Sequence, residues 1–254
     1  MTATLVMLCL AALAAGFIDA MAGGGGLIQT PAALVLLPQF PVATVIGTIK
    51  IPAFTGTSFA AAQYARKVSL NYRNLAIMAT VAFLAAFGGS KLLTVVSSSF
   101  MKPLLLVVLV GVAIYTFKNK KFGEYTDKGH HPRQQLIYKI AVSAVIGFYD
   151  GFIGPGAGSF LVLAFISWLG FDFLKASAHA KFVNLATNLG SIVFFAIHGK
   201  ILYSIAIPMA VCNGIGGLLG ARMAILKGNT FIRIVFLVAV CGTILRFAYD
   251  VFFK

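Results

Sequence analysis

Long apolar segments constrain this chain more than any other feature of its sequence. A helix needs about 20 apolar residues to cross the hydrocarbon core of a bilayer, which is about 30 Å thick. Only 10% of the residues are charged, whereas a water-soluble surface carries roughly 25–35%, so most of the chain cannot face water. The sequence predicts an all-α polytopic membrane protein and excludes a soluble enzyme, a disordered chain and a secreted disulfide scaffold. The eight segments that approach or reach spanning length are Thr4–Ala22, Val42–Tyr64, Leu75–Leu93, Pro103–Phe117, Gln135–Ile153, Ala176–Ile197, Ile201–Ala221 and Ile234–Phe253.

Two further apolar segments are too short for an easy crossing, and each follows a cluster of glycines. They are Leu27–Leu37 and Ser159–Gly170. Each is either a tilted short span or a re-entrant half-helix. Helix ends that lie away from water need partners inside the protein, so we expect both segments within the bundle rather than against lipid.

The positive charges lie mostly in the connections between segments. The chain has 20 Lys and Arg against 6 Asp and Glu, and cytoplasmic loops of membrane proteins carry the excess of Lys and Arg. We therefore place residues 118–134 in the cytoplasm, between a first transmembrane repeat (1–117) and a second (135–254). If both short segments cross, each half has five spans, the halves are inverted, and Lys175 and Arg222 are cytoplasmic; otherwise the halves are parallel and both residues lie outside. The charge distribution favours inverted repeats, with short or broken helices at the glycine-rich turns.

The two halves carry the same polar residues and glycines in one register, 131 residues apart. Apolar matches are common in a chain this hydrophobic, but matched acids, lysines and glycines are not, so the register indicates a duplicated domain. Many secondary transporters are built from such repeats, with the substrate site near the membrane midplane at the repeat interface. The matched pairs are Asp19/Asp150, Lys50/Lys181, Gly23/Gly154, Gly25/Gly156 and Gly89/Gly220.

No motif in the sequence indicates an ATP motor, a cofactor or a metal. The run Gly23–Gly26 is not followed by the Gly-Lys-Ser/Thr of a phosphate-binding loop, so transport is passive or ion-coupled. Cys9, Cys212 and Cys241 lie singly in apolar stretches, which is typical of small buried hydrophobes rather than of a metal or redox site. The basic residues form no groove with interleaved aromatics, so we expect no nucleic-acid partner.

Charged residues inside apolar segments are the main indicators of function, because each costs about 2.5–3.5 kcal/mol to insert. Two lysines that face one cavity form an anion site, since an ammonium is a point charge with three donors. The glycine clusters end where new helices begin, and helix N-termini bind anions through free N–H groups. The candidate substrate-binding residues are Lys50, Lys181, Gly24, Gly25, Gly26, Pro155, Gly156, Ala157, Asn184, Asn188 and Thr48, with Gln29, Thr30, Thr55, Thr57 and Ser159 as polar neighbours.

Asp19 and Asp150 have two interpretations that the sequence does not separate. They neutralise the lysines as buried ion pairs across the repeat interface, or they carry a coupling proton. The run of small residues from Gly214 to Ala221 predicts close helix packing rather than a ligand site.

The same residues resemble a known family. The motifs are Gly16-Phe17-Ile18-Asp19 with Gly23–Gly26, Gly147-Phe148-Tyr149-Asp150-Gly151 with Gly154–Gly158, Gly47-Thr48-x-Lys50, Lys181-x-x-Asn184 and Gly216-Gly217-x-x-Gly220-Ala221-Arg222. Together they are similar to the sulfite exporter TauE/SafE family of membrane transporters, over nearly the whole chain. The resemblance implies transport of sulfite, sulfoacetate or other small organic anions across the cytoplasmic membrane. One departure is that the first glycine turn lacks the proline found in the second, Pro155, so the halves are not equivalent in detail.

The combined expectation is a secondary transporter for a small sulfur-containing anion, working by alternating access in a multi-pass membrane bundle. The alternatives are an anion channel and a carrier of small carboxylates. A membrane enzyme is disfavoured, because the chain has only 6 acidic residues and no clustered carboxylates. The expected partners are the anion and the lipid bilayer, and whether the protein forms a homodimer stays open.

Overall fold

The computed structural model describes residues 2–97, 99–100, 103–104, 107 and 132–252. Most of the predicted segment Pro103–Phe117 and most of the cytoplasmic linker lie outside these residues. The described part of the chain forms eight helices and no strand. They are α1 (Thr2–Ala22), α2 (Gly26–Leu36), α3 (Val42–Ala65), α4 (Tyr72–Val95), α5 (Pro132–Phe152), α6 (Ala157–Leu169), α7 (Phe173–Ile197) and α8 (Tyr203–Phe252).

The short helices α2 and α6 confirm the two short apolar segments of the sequence. They have 11 and 13 residues, which at a rise of 1.5 Å per residue gives lengths of about 16 and 20 Å. Neither reaches across a hydrocarbon core on its own. Each begins directly after its glycine turn, so the N-termini of both helices lie inside the protein.

Helix α8 corrects one prediction. The sequence analysis separates Ile201–Ala221 from Ile234–Phe253, but the structure has one helix of 50 residues, Tyr203–Phe252. The polar stretch between the two segments contains Gly228 but no proline. A glycine within a helix costs only about 1 kcal/mol, which does not suffice to end it.

The fourth helix of each half packs against the other half. Helix α8 lies against α1 and α3, and α4 lies against α5 and α7. Glycines permit these crossings: a Cβ on Gly220 would overlap the carbonyl of Phe17, and a Cβ on Gly89 would overlap that of Phe148. These two contacts are related by the 131-residue register. They confirm that the run Gly214–Ala221 serves close helix packing.

Helices α3 and α7 are equivalent in the repeat and run antiparallel through the centre of the bundle. Early in α3, Gly47 lies against Phe195, which is near the end of α7. Later in α3, Thr57 meets Lys181, near the start of α7, at the carboxylate of Asp19. Rising residue numbers in one helix therefore face falling numbers in the other.

The outer surface of the bundle has the character of a membrane protein. Within the described residues, four helices are long and apolar enough to cross a bilayer, over Ala3–Met21, Tyr72–Val95, Leu174–Ile197 and Tyr203–Lys227. Large apolar side chains on their outer faces are exposed, and Leu84 is 64% exposed. Apolar surface on this scale is expected against lipid rather than water.

Candidate functional site

The two glycine turns touch each other at the centre of the protein. The backbone amide of Ser159 donates a hydrogen bond to the carbonyl of Gly23 at 3.0 Å. Gly23 has a φ of 78° and Gly154 one of 92°, a left-handed conformation that glycine adopts without steric cost. A Cβ on Gly158 would lie 2.5 Å from the Gly23 carbonyl oxygen. Glycines are therefore required here both for backbone conformation and for close approach.

The two turns differ at equivalent positions. Gly25, which precedes α2, has a φ of −58°, whereas Gly156, which precedes α6, has a φ of 83°. The first turn is also tied to Asp19, whose Oδ1 accepts a hydrogen bond from the amide of Gly25 at 3.3 Å. The expectation from Pro155 that the halves are not identical is confirmed at this level.

The intramembrane lysines and aspartates form two ion pairs that are exchanged between the halves. Lys50 Nζ lies 2.9 Å from Asp150 Oδ1 and 2.7 Å from the carbonyl oxygen of Asp150. Lys181 Nζ lies 2.9 Å from Asp19 Oδ2 and also donates to the Asp19 carbonyl. Each lysine thus donates to the carboxylate and to the backbone carbonyl of the aspartate in the other half.

The Lys50–Asp150 pair is buried, the Lys181–Asp19 pair is part-buried because the Asp19 side chain is 16% exposed, and both have further hydrogen-bond partners. Lys50, Lys181 and Asp150 are 5%, 1% and 4% exposed. The hydroxyl of Thr187 donates to Asp150 Oδ2, and that of Thr57 to Asp19 Oδ2 at 3.3 Å. A buried ion pair is tolerated when such bonds satisfy its remaining lone pairs. This geometry corresponds to the ion-pair interpretation of the aspartates.

The two turns, α3 and α7 surround a cavity of about 50 Å³. One water molecule needs about 10–15 Å³ of such space, so the cavity has room for about three or four waters or one small solute. Nine residues named in the sequence analysis as binding or ion-coupling residues line it: Asp19, Gly25, Gly26, Lys50, Asp150, Gly156, Ala157, Asn184 and Asn188.

Four other candidates lie outside this lining. Lys181 does not line the cavity, and its Nζ donates a hydrogen bond to the carboxylate of Asp19, which does. The hydroxyl of Thr48 donates to the carbonyl of Thr44 and accepts from the amide of Leu202, so it ties α3 to the start of α8. The carbonyl of Pro155 accepts from the hydroxyl of Tyr149 at 2.5 Å, and Gly24 does not reach the cavity.

Side-chain amides complete the lining. Asn188 Nδ2 donates to Asn184 Oδ1 at 3.1 Å, and Asn213 Nδ2 donates to Gln29 Oε1 at 3.1 Å. Asn213 is the residue that sequence reasoning missed. The sequence could have indicated it, since a side-chain amide in the apolar segment Ile201–Ala221 is costly unless it has a function or a partner.

Gln29 carries an unsatisfied donor. Its Nε2 is buried and has no hydrogen-bond partner within the described residues. A buried donor of this kind costs about 1–3 kcal/mol. Such a cost marks a position where a further acceptor is expected.

Taken together, these features define a class of protein. A helical membrane bundle with two repeats, a small polar cavity between them and buried charges at that cavity is the arrangement of a membrane transporter. The particular family follows from comparison with known proteins: residues 8–247 match the family model described as sulfite exporter TauE/SafE. The chain belongs to the TauE/SafE family.

Individual relatives agree with this assignment. A probable membrane transporter protein of Haemophilus influenzae is 37% identical over 219 residues, covering 86% of this chain and 84% of the relative. A second, ORF9 of a Sinorhizobium species, is 34% identical over 247 residues, covering 97% and 93%. A third, YfcA of Escherichia coli K12, is 32% identical over 245 residues, covering 94% and 87%. No solved structure matches the chain.

Proposed function

We propose that this protein is a secondary transporter that exports a small sulfur-containing anion, such as sulfite or an organosulfonate, across the cytoplasmic membrane. The observation that carries the proposal is the cavity between the glycine turns, where an ammonium and several amides surround space for one small solute. The ammonium supplies a positive charge, and the amides and the starts of α2 and α6 supply directed N–H donors. These groups suit the oxygens of a sulfite or sulfonate.

The two lysines have different roles in this proposal. Lys50 lines the cavity and contacts the anion directly. Lys181 acts through Asp19, whose carboxylate lines the cavity while Lys181 holds it from behind. The paired lysines of the sequence therefore support one site rather than two.

The Lys50–Asp150 pair gives a physical reason for coupling to protons. The pair is neutral as a unit and almost fully buried. Addition of an anion leaves one uncompensated negative charge beside a buried ion pair, which is costly. Entry of one proton together with the anion keeps the loaded site neutral. The solute gradient and the pH gradient together then set the direction of transport.

Alternating access fits inverted halves, with α1–α4 matched to α5–α8 in the 131-residue register. The antiparallel course of α3 and α7 and the exchange of the two ion pairs support this arrangement, because both follow from a two-fold axis in the membrane plane. Rocking of one half against the other opens the cavity to each side in turn.

The substrate class is tested with purified protein and a panel of anions, with thermal unfolding as the measurement. The panel contains sulfite, thiosulfate, sulfoacetate, taurine, sulfate, acetate and chloride at matched ionic strength and pH. A ligand at a hundred times its Kd adds about 2.7 kcal/mol to the stability of the folded state, which raises Tm by about 5–10 °C for a chain of this size. We expect such a shift from sulfite or a sulfonate. A rise in Tm with acetate alone removes the assignment of a sulfur-containing substrate. A separate flux measurement distinguishes a carrier from a channel, because only a carrier is stimulated by substrate on the opposite side of the membrane.

The inverted topology is tested by labelling single cysteines from the two sides of the membrane. The variants are Lys67→Cys, Lys91→Cys and Arg222→Cys, all at exposed positions, in a background whose three natural cysteines are replaced by alanine. We expect Lys67→Cys and Arg222→Cys to react from one side and Lys91→Cys from the other. Parallel halves are indicated instead if Arg222→Cys reacts together with Lys91→Cys.

A further inference from the structure

Gln29 and Asn213 form a polar unit that the ion pairs do not explain. Gln29 lies on α2 and Asn213 on α8, and both are 2% exposed. The single hydrogen bond between them uses Gln29 Oε1 and leaves Gln29 Nε2 without a partner in the described part of the chain. Both residues line the cavity. Because Oε1 of Gln29 already accepts a hydrogen bond and Nε2 has none to donate to, Nε2 is available to donate to an oxygen of a ligand.

Two glycines hold Asn213 in place. A Cβ on Gly16 of α1 would lie 2.6 Å from Asn213 Oδ1, and a Cβ on Gly56 of α3 would overlap the same oxygen. The side chain therefore occupies a slot between α1 and α3 that only glycines leave open. Because Asn213 is fixed in this way, the amide of Gln29 that it contacts is fixed as well.

The unit exists in one half only. In the 131-residue register, Gln29 corresponds to Phe160 and Asn213 to Ala82. One side of the slot is repeated, since Gly147, the equivalent of Gly16, lies against Ala82. The other side is not, because Gly56 corresponds to Thr187. The second half thus has a similar close approach of helices without the amide pair.

We infer that Gln29, held by Asn213, is an oxygen-recognition subsite that selects oxyanions over halides in the transported solute. The inference rests on the proposed function. It narrows the substrate class to anions in which one oxygen accepts a hydrogen bond from Gln29 while another part of the anion contacts Lys50. Since the unit has no counterpart in the other half, the solute binds in one orientation. A site built to hydrogen-bond its ligand rejects an analogue that lacks the partner atom, because its own polar group is then left unpaired.

The test compares Gln29→Met with Gln63→Met in the full-length protein. Gln63 is a matched control: it also reaches α8, where its Nε2 donates to the Leu218 carbonyl at 2.8 Å, but it does not line the cavity. Sulfite, methanesulfonate and acetate serve as oxyanion probes and chloride as the oxygen-free probe, with Kd measured by titration. We expect Gln29→Met to weaken the best-bound oxyanion about ten- to a hundredfold and to leave chloride within about twofold. Gln63→Met leaves both affinities unchanged.

Thermal unfolding separates recognition from structure. Gln29→Met removes the unpaired Nε2 donor but leaves Asn213 Nδ2 unpaired in its place. We therefore expect its Tm to stay close to that of the wild type, and Gln63→Met, which loses one hydrogen bond, to lower Tm slightly. Asn213→Ala, which copies the other half, serves as a second variant and lowers oxyanion affinity in the same direction as Gln29→Met. The subsite is overturned, and the transporter proposal kept, if Lys50→Met loses oxyanion binding while Gln29→Met and Asn213→Ala retain it. If the wild-type protein binds none of the four probes, the proposed function fails first and the subsite with it.

Discussion

Replacement of Lys50 by methionine is expected to destabilise the protein strongly and to abolish anion binding. The change leaves Asp150 buried without its cation, and the loss of one partner of a buried pair costs about 3–5 kcal/mol. It also removes the ammonium that lines the cavity. We expect Tm to fall by about 6–20 °C for a chain of this size and the affinity for sulfite to fall at least about a hundredfold.

The double variant Lys50→Met/Asp150→Asn separates these two effects. Replacement of both charges removes the unpaired carboxylate, so stability returns to within about 1 kcal/mol of the wild type. Binding does not return, because the positive charge that meets the anion is still absent. Recovery of wild-type affinity in this double variant would show that Lys50 stabilises the fold only and is not part of the site.

The second ion pair supplies the matched control. Lys181→Met is expected to destabilise as well, but less than Lys50→Met, since the carboxylate left without its cation, that of Asp19, is 16% exposed against 6% for Asp150. The double variant Lys181→Met/Asp19→Asn recovers stability and keeps measurable sulfite affinity, with a loss of about tenfold or less. Equal loss of binding in both double variants would contradict the different roles proposed for the two lysines.

Replacement of Gly23 by alanine is expected to prevent the two halves from docking. At φ 78° a side chain is strained, and its Cβ would lie 2.5 Å from the amide nitrogen of Ser159 in the other half. The turn must move away, which breaks the bond from that amide to the Gly23 carbonyl and separates the N-termini of α2 and α6. We expect a loss of about 3 kcal/mol or more from strain and overpacking together. Thermal unfolding in detergent and the yield of monodisperse protein measure this loss.

Gly88 is the control for this substitution. It lies in α4, and a Cβ there meets nothing within 4 Å. Gly88→Ala is expected to leave the fold unchanged and to stabilise it by about 0.5–1 kcal/mol, because alanine loses less backbone entropy in a helix. A Gly23→Ala protein with the Tm of Gly88→Ala would show that the contact between the turns is not needed for folding.

The sequence by itself determined the membrane class and most of the helices, and its 131-residue register predicts a repeat. The length of an apolar run is a local property, and a bilayer converts it directly into a helix that crosses or falls short. For this reason the bounds of α1, α3, α4 and α7 agree with the predicted segments to within three residues at each end. The register of Asp19, Lys50 and the glycines was also readable, because a duplication preserves spacing. These features were enough to point to the glycine turns as the centre of the site.

Only the tertiary structure decided which charges meet and which of them face the cavity. Lys50 and Asp150 are 100 residues apart, and Lys181 and Asp19 are 162 apart, so no local pattern specifies their pairing. The exchange of partners depends on α3 and α7 being antiparallel, and the inclusion of Asn213 depends on α8 packing on the other half. Burial then makes the pairing obligatory, since an isolated charge in this interior costs far more than a matched one. Lys50 and Lys181 occupy equivalent positions in the sequence register. Packing places Lys50 in the cavity lining and pairs Lys181 with Asp19 outside it.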